Sequence, residues 1–517
     1  MQRLLPFVVG FVLISSNVSA SNLPDHEGNR TYALIRAIKS IFLSNRLQIT
    51  IHDQDGNPLE DSLVMVGNAP GTPFEHNVDY TDQDGVVIFT DDLLKPPYTV
   101  TAYKEGFNAY TIYDMDVDEV EIKLTPLAGR NAYVEIYGEL TGWQQMVNGD
   151  DIFSAAFVTP LLFFDEVVNF NLSTLLGPDC KMDLYGERDV PCNIIIPEQV
   201  ESYIWVPVSL YKPNYSLRIK KDRDQDFLAL SGDIPFTSTM DLIIGGGSFE
   251  RVLDQLVVRK IGLKLDQEVN KNKELNIDLS NSIKSNQIEI EVKNRPVGRS
   301  MILISLADLD NKSEQFIPSG IRVIQRREGF RKKNLSSVTK DGLLKDSSDI
   351  VVAAAVDLPE NKDDKDNDSK IIGIISRKTN ELVLFDSFFL PLDLTLSEAG
   401  LTLSDVNNQG ISPTPDLSFT SLRRIIRHKK EGEIHETIWS VVSPAAQKTI
   451  TLPQLPITII PDPSLTPEND KLYWTAGVFT LDQNQTMFDY NLLSSRTIAR
   501  RLTHFSWNRI EVGGNGN

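Results

Sequence analysis

Three residues of this chain have the types and spacing of a zinc site: His428, Glu431 and His504. A His-x-x-Glu pair with one further histidine supplies three protein ligands and leaves a fourth position for a water that the metal activates. His428-Lys429-Lys430-Glu431 has that spacing, and His504 lies downstream. Against this, the surrounding residues 423–435 (RRIIRHKKEGEIH) read as a charged strand or hairpin tip, and no His-Glu-x-x-His occurs. Nucleophilic chemistry needs a Ser or Cys held beside a His and a carboxylate. The chain has no Gly-x-Ser-x-Gly elbow, and its 6 histidines are scattered. Gly245-Gly246-Gly247 precedes a helical pattern and could cradle a phosphate. No Lys-Ser/Thr follows it, so it reads as a turn.

Oxygen ligands are better supplied. Asp53/Asp55, Asp82/Asp84, Asp222/Asp224/Asp226 and Asp364/Asp366/Asp368 each place carboxylates two residues apart. Calcium takes 6–8 oxygens, which makes these the calcium candidates, although none has the Gly and twelfth-position Glu of an EF-hand. The first two pairs also suit hairpin turns. Trp143, Trp205, Trp439, Trp474 and Trp507 are candidates for stacking on a sugar, with the strand core as the alternative. The stretch 326–333 (RREGFRKK) is a basic patch in an acidic chain, read as a solvated hairpin tip or an anion or glycan contact.

The elements that would position these residues are mostly strands. Residues 46–127 show short apolar/polar alternations cut by Asp-Gly turns, the pattern of antiparallel strands. Leu47, Ile49 and Ile51 face a core, and Gln48, Thr50 and His52 face water. Gly56 and Gly85 supply the positive φ of a tight turn, and Asp53, Asp55, Asp82 and Asp84 fold back on local backbone. This is a β-sandwich of about seven strands. Strand patterns recur over 132–140, 193–197, 203–211 and 215–220, then between 274 and 385, then over 457–460, 473–481 and 504–512. Two segments have helical spacing: 31–43, with Tyr32, Ile35, Ile38 and Phe42, and the segment after Ser248, with Phe249, Val252, Leu253 and Leu256. Residues 360–370 are charged and read as an exposed loop. No fixed-period repeat is present.

Within 46–127, Ile51-His52-Asp53-Gln54-Asp55-Gly56-Asn57-Pro58-Leu59, Thr81-Asp82-Gln83-Asp84-Gly85-Val86 and Tyr98-Thr99-Val100-Thr101-Ala102, followed by Glu105-Gly106-Phe107, occur in order. In these segments the chain resembles the carboxypeptidase regulatory-like domain, a transthyretin-like sandwich. The resemblance implies that fold and a non-catalytic accessory role; it does not fix an activity. It also raises the question of a zinc carboxypeptidase. That enzyme family carries a large α/β domain ahead of its regulatory domain. Here the His428 tetrad follows in a Pro-rich β region, with flanks unlike the family's.

The chain has 517 residues, enough for about three or four domains. A hydrophobic content of 41% supports real cores. Its net charge of −20 opposes phosphate backbones and anionic lipid, which argues against nucleic-acid and membrane-surface partners. Residues 1–20 read as a secretory signal: Arg3, an apolar run over 4–16, and Val18-Ser19-Ala20 before Ser21. The run is too short for the roughly 30 Å of a bilayer core, so no membrane insertion is expected once it is removed. The 2 cysteines, Cys180 and Cys192, are an even, close pair in an exported chain, which suggests one disulfide. Two separate thiols or half a metal site are the alternatives.

The expected protein is mainly β, with several β-sandwich domains in tandem and few short helices. Its divisions are a signal over 1–20, a helical segment over 21–45, the transthyretin-like sandwich over 46–127, a β domain with the disulfide and a C-terminal helix over 128–262, a β domain over 263–400 and a Pro-rich β domain over 401–517. The expected function is a non-enzymatic, structural or adhesive one, in a secreted or periplasmic protein that meets protein or glycan at a cell surface. A carbohydrate-binding protein and a hydrolase with a dispersed site are the alternatives. No cofactor is expected, calcium being the candidate; the oligomeric state is not legible.

Overall fold

The computed structural model describes residues 46–512 apart from 69–76, 128–132, 143–151, 162–178, 184–186, 196–213, 239–240, 242–256, 309–315, 357–369, 378–381, 405–414, 429–431, 445–448, 451–452, 455–470, 483–500 and a few single positions. Residues 1–45, with the expected signal and first helix, and the segment after Ser248 lie outside the described residues, as do 203–211 and 457–460. Among the described residues 69% are in strands and 2% in helix, with several sheets, as tandem sandwiches require.

The first seven strands are β1 (Arg46–His52), β2 (Leu63–Val66), β3 (Val78–Tyr80), β4 (Val86–Thr90), β5 (Tyr98–Tyr103), β6 (Ala109–Met115) and β7 (Glu119–Lys123). The alternation of β1 buries Leu47, Ile49 and Ile51 completely. Sheet β4-β1-β7 faces β6-β5-β2-β3 across a core that includes Val64, Val66, Val100, Ala102 and Ile112. Gly56 and Gly85 adopt φ of 84° and 71°. A Cβ on Gly85 would lie 2.4 Å from the Ile51 carbonyl oxygen, so this turn needs glycine.

The second unit holds β8 (Tyr133–Thr141), β9 (Ile152–Pro160), β10 (Asp179–Asp183), β11 (Glu187–Pro191), β12 (Ile194–Ile195), β13 (Asn214–Lys220), β14 (Arg223–Pro235), β15 (Val257–Val269), β16 (Lys273–Glu274), β17 (Ile277–Asp278) and β18 (Asn281–Ser282). Sheet β12-β9-β14-β15-β18 packs on β13-β8-β16 around Ile136, Val158, Leu217, Phe227 and Ile277. The expected boundary at 262/263 falls inside β15, whose register with β14 runs from Val257 to Val269. The unit therefore continues to β18. Residues 272–279 lie along the free edge of β8: Asn272 Oδ1 accepts from Glu135 N, and Asn276 Oδ1 accepts from Glu139 N. Leu275 N and Leu279 N donate to Tyr137 O and Thr141 O. The short strands β16 and β17 pair parallel with β8, and the two asparagine side chains add bonds between and beside them, closing an edge that would otherwise be sticky. The approach is close enough that a Cβ on Gly138 would be 2.3 Å from Leu275 O.

The remaining strands are β19 (Ser285–Val292), β20 (Ser300–Asp308), β21 (Phe316–Ile324), β22 (Lys332–Val338), β23 (Ser348–Val356), β24 (Ile371–Ser376), β25 (Leu382–Phe385), β26 (Asp393–Ser397), β27 (Gly400–Ser404), β28 (Leu417–His428), β29 (Gly432–Ser443), β30 (Thr449–Ile450), β31 (Lys471–Leu481) and β32 (Leu502–Val512). The expected boundary at 400/401 falls inside β27, which pairs with β26 and β30.

One twelve-stranded sheet joins three of these units, in the order β21-β20-β23-β24-β32-β31-β28-β29-β6-β5-β2-β3. Inner strands such as β23 and β31 are buried on both faces, and their sequences carry long apolar runs. In β23, Val352 and Ala354 belong to or pack on the core shared with the first sandwich, while Val351, Ala353 and Ala355 face a second core with β19 and β25. In the middle of the sheet, Leu422, Trp439, Trp474 and Val478 pack with Phe389, Leu392 and Leu394. The link to the first sandwich is a parallel ladder, Trp439↔Ala109 through Val442↔Ile112. The second unit joins the rest through side chains, with Leu228, Val258 and Ile261 against Ala307, Ile317 and Val338.

Candidate functional site

The zinc candidate is separated by strand register. His428 ends β28 and pairs with Gly432, at the tip of the β28–β29 hairpin. Glu431 lies outside the described residues. His504, on β32, pairs with Thr480 of β31, one step before the Leu417–Phe479 pair of β28 and β31. His428 is eleven residues beyond Leu417 on the same strand. At about 3.3 Å per residue the two histidines are roughly 40 Å apart along the sheet, against ligand distances near 2 Å. They cannot share a metal. His504 packs on Phe389, with ring centroids 5.7 Å apart. Burial pushes its imidazole pKa down, against an upward pull from Asp386.

The calcium candidates serve as turn caps. Asp53 Oδ1 accepts from the amides of Asp55 and Asn57, and Oδ2 accepts from Asn57 Nδ2. Asp82 Oδ1 accepts from the amides of Asp84 and Val86. Asp226, in the third set, accepts from Asp266 N on β15. Asp222 and the 364–368 set lie outside the described residues. Among the described residues no three His, Cys, Asp or Glu side chains are arranged to hold a metal.

The tryptophan candidates divide in the same way. Trp439, Trp474 and Trp507 are core residues, each 3% exposed or less. Trp439 Nε1 donates to Thr111 Oγ1 across the β6–β29 ladder. None of the three offers a face to a sugar; Trp143 and Trp205 lie outside the described residues. Three cations of the basic stretch 326–333 are paired with acids. Arg331 pairs with Glu291 at 2.8 Å, Lys332 with Glu289 at 3.2 Å and Lys333 with Glu328 at 2.5 Å. Hydrogen bonding from Arg331 draws the Glu291 carboxyl pKa down. Cys192 is buried and disulfide-bonded. Cys180 sits on β10, opposite Val190 of β11, and its side chain lies outside the described residues.

A polar grouping that sequence reading missed lies on β28, β31 and β32. Lys471 Nζ and Tyr473 OH donate to Glu511 Oε2 at 2.8 and 3.3 Å. The Arg509 guanidinium sits 5.2 Å from the centre of the Tyr473 ring. Ser421 and Thr475, one row along, are buried. The hydrogen bond to Glu511 raises the Lys471 pKa, and burial, then Glu511, raises that of Tyr473. Both shifts favour the protonated forms, in which the two groups donate to Glu511. The arrangement is a clamp between β31 and β32. Its sequence signal, the alternation Lys471-x-Tyr473 against Arg509-x-Glu511, is visible only once the register is known.

No family model matches the chain, and no characterised protein matches it in sequence. Three solved structures show a distant likeness. The TIE protein of Bacillus anthracis matches 66% of this chain with 49% of its own length, at 9% identity and a TM-score of 0.15. The chain thus spans about half the length of that protein. A candidate cell adhesion protein of Bacteroides ovatus matches 52% of this chain with 94% of its own, at 10% identity and 0.13. A streptococcal ancillary pilin matches 66% with 98%, at 5% identity and 0.12. Likenesses at these TM-scores carry no argument about this chain. No helix among the described residues is long and apolar enough to cross a membrane.

Proposed function

We propose that the protein is an exported, non-enzymatic, structural or adhesive component of the cell envelope or the extracellular space. The observation that supports this most is the twelve-stranded sheet, which hydrogen-bonds three units into one extended body. Such a frame suits the holding of surfaces apart or together more than the closing of a cleft over a substrate. A second support is the use of the side chains with chemical potential: Asp53 and Asp82 cap turns, three tryptophans fill cores, and His428 and His504 stand at opposite ends of strands. The resemblance of 46–127 to the carboxypeptidase regulatory-like domain, an accessory in its own family, belongs to this reading, as does a bridge between Cys180 and Cys192.

The test is to follow the native protein by fractionation and to measure the mass of the mature chain. The reading expects it outside the cytoplasm with Ser21 as its first residue, and expects its deletion to reduce retention of cells on a protein-coated surface. A full-length chain in the cytoplasm would sink it.

A further inference from the structure

The two ends of the described chain leave the body at opposite ends of its strands. Gln48 N donates to Asp118 O, so the start of β1 lies beside the turn that follows β6. Ile112 is level with Val442, which puts Met115 level with the end of β29. At the other terminus, Val512 is level with Leu472, Leu472 with Arg424, and Arg424 with Glu436. The levels of Met115 and Glu436 differ by about nine residues, or ~30 Å along the strands, and β32 lies four strands from β6, about 20 Å across.

Direction completes the geometry. β28 is antiparallel to β29, β31 to β28, and β32 to β31, so β32 runs against β29. β6 is parallel to β29, and β7, which is parallel to β1, returns from the turn after β6. β1 and β32 therefore run the same way: the chain enters at one end of the sheet and leaves at the other. Neither is an edge strand. β1 is held between β4 and β7, and β32 between β24 and β31.

We infer that the fold is a load-bearing link, which takes tension between its chain ends as shear along its strands. Pulling on Arg46 draws β1 lengthwise against two neighbours, and pulling on Val512 does the same to β32. Between them the load crosses the β6–β29 ladder. That ladder short-circuits the long covalent route through the intervening units, because residues 109–112 are paired with 439–442. In shear the rungs of a ladder strain together and must fail together. When the same ladder is pulled across its strands, the rungs open singly from one end, at a lower force. The Trp439–Thr111 hydrogen bond and the buried Val442 and Ile112 side chains reinforce this ladder. The inference rests on the structural reading above for its use by the cell; the force response depends on topology alone.

The experiment is single-molecule stretching of the full chain through handles at two pairs of exposed or half-exposed positions. Handles at Arg46 and Val512 pull along the strands. Handles at Asp55, in the turn at the far end of β1, and Val512 sit at one end of the sheet and pull across them. The first geometry should rupture at a force about twofold or more above the second, because four ladder pairs share the load instead of breaking in turn. Equal forces, or a weaker lengthwise pull, would overturn the inference. A cytoplasmic location would defeat the proposed function and leave this comparison unchanged.

Discussion

Asp82 illustrates what happens to the side chains whose types suggested chemistry. Its Oδ1 accepts two amides, from Asp84 and Val86, and so shapes the turn into β4. Asp82→Ala removes both bonds and should cost about 1 kcal/mol in urea unfolding. Calcium added to the native protein should leave its melting temperature unchanged, whereas a bound ion at 100 times its Kd would stabilise by about 2.7 kcal/mol. His504 makes a different prediction. Burial lowers its pKa below the ordinary value of 6.5, so the unfolded chain binds the proton more readily than the folded one. The stability it contributes is present above pH 6.5 and falls away as the pH drops below it. His504→Gln has no such proton to take up, so the urea midpoint of this variant should fall less steeply between pH 6.5 and 5 than that of the parent chain.

At the scale of elements, the edge of β8 is closed by two short parallel strands, β16 and β17, reinforced by side chains. The segment 272–279 lies on β8 through asparagine side chains and two backbone amides, and Gly138 leaves the room it needs. Gly138→Ala puts a methyl group against the Leu275 carbonyl and should destabilise by about 1–3 kcal/mol, read as a shift of the urea midpoint. An unchanged midpoint would mean that the segment does not hold this position. The clean alternation and Asp-Gly turns made β1, β4 and β5 legible, since local chemistry sets both the strands and their ends. β28 and β29 were less so. Their middles mix apolar and charged residues: Leu422, Ile425 and Trp439 share strands with Arg423, Arg424 and Glu436, and the Arg424–Glu436 ion pair that buries the acid is a cross-strand fact. The boundaries expected at 262/263 and 400/401 failed because β15 and β27 continue through them, and nothing in local composition marks a strand's partner.

For the whole molecule, a chain of separate sandwiches was the natural expectation from turn-rich sequence, because each unit has its own alternation. The mainly β architecture was legible on that basis. The sheet that fuses the units was not, since pairing between residues 109–112 and 439–442 has no local signature. The same holds for the described candidates: whether His428 meets His504, or whether Trp439, Trp474 or Trp507 meets solvent, depends on register. The fused sheet has a direct test in native-state hydrogen exchange of β6. Its amides sit inside the long sheet, between β5 and β29. The account predicts that exchange at Tyr110–Ile112 is as slow as in β28 and β31, with protection lost in the same unfolding event. Exchange of these amides well before those of β28 and β31, as at a frayed edge, would contradict it.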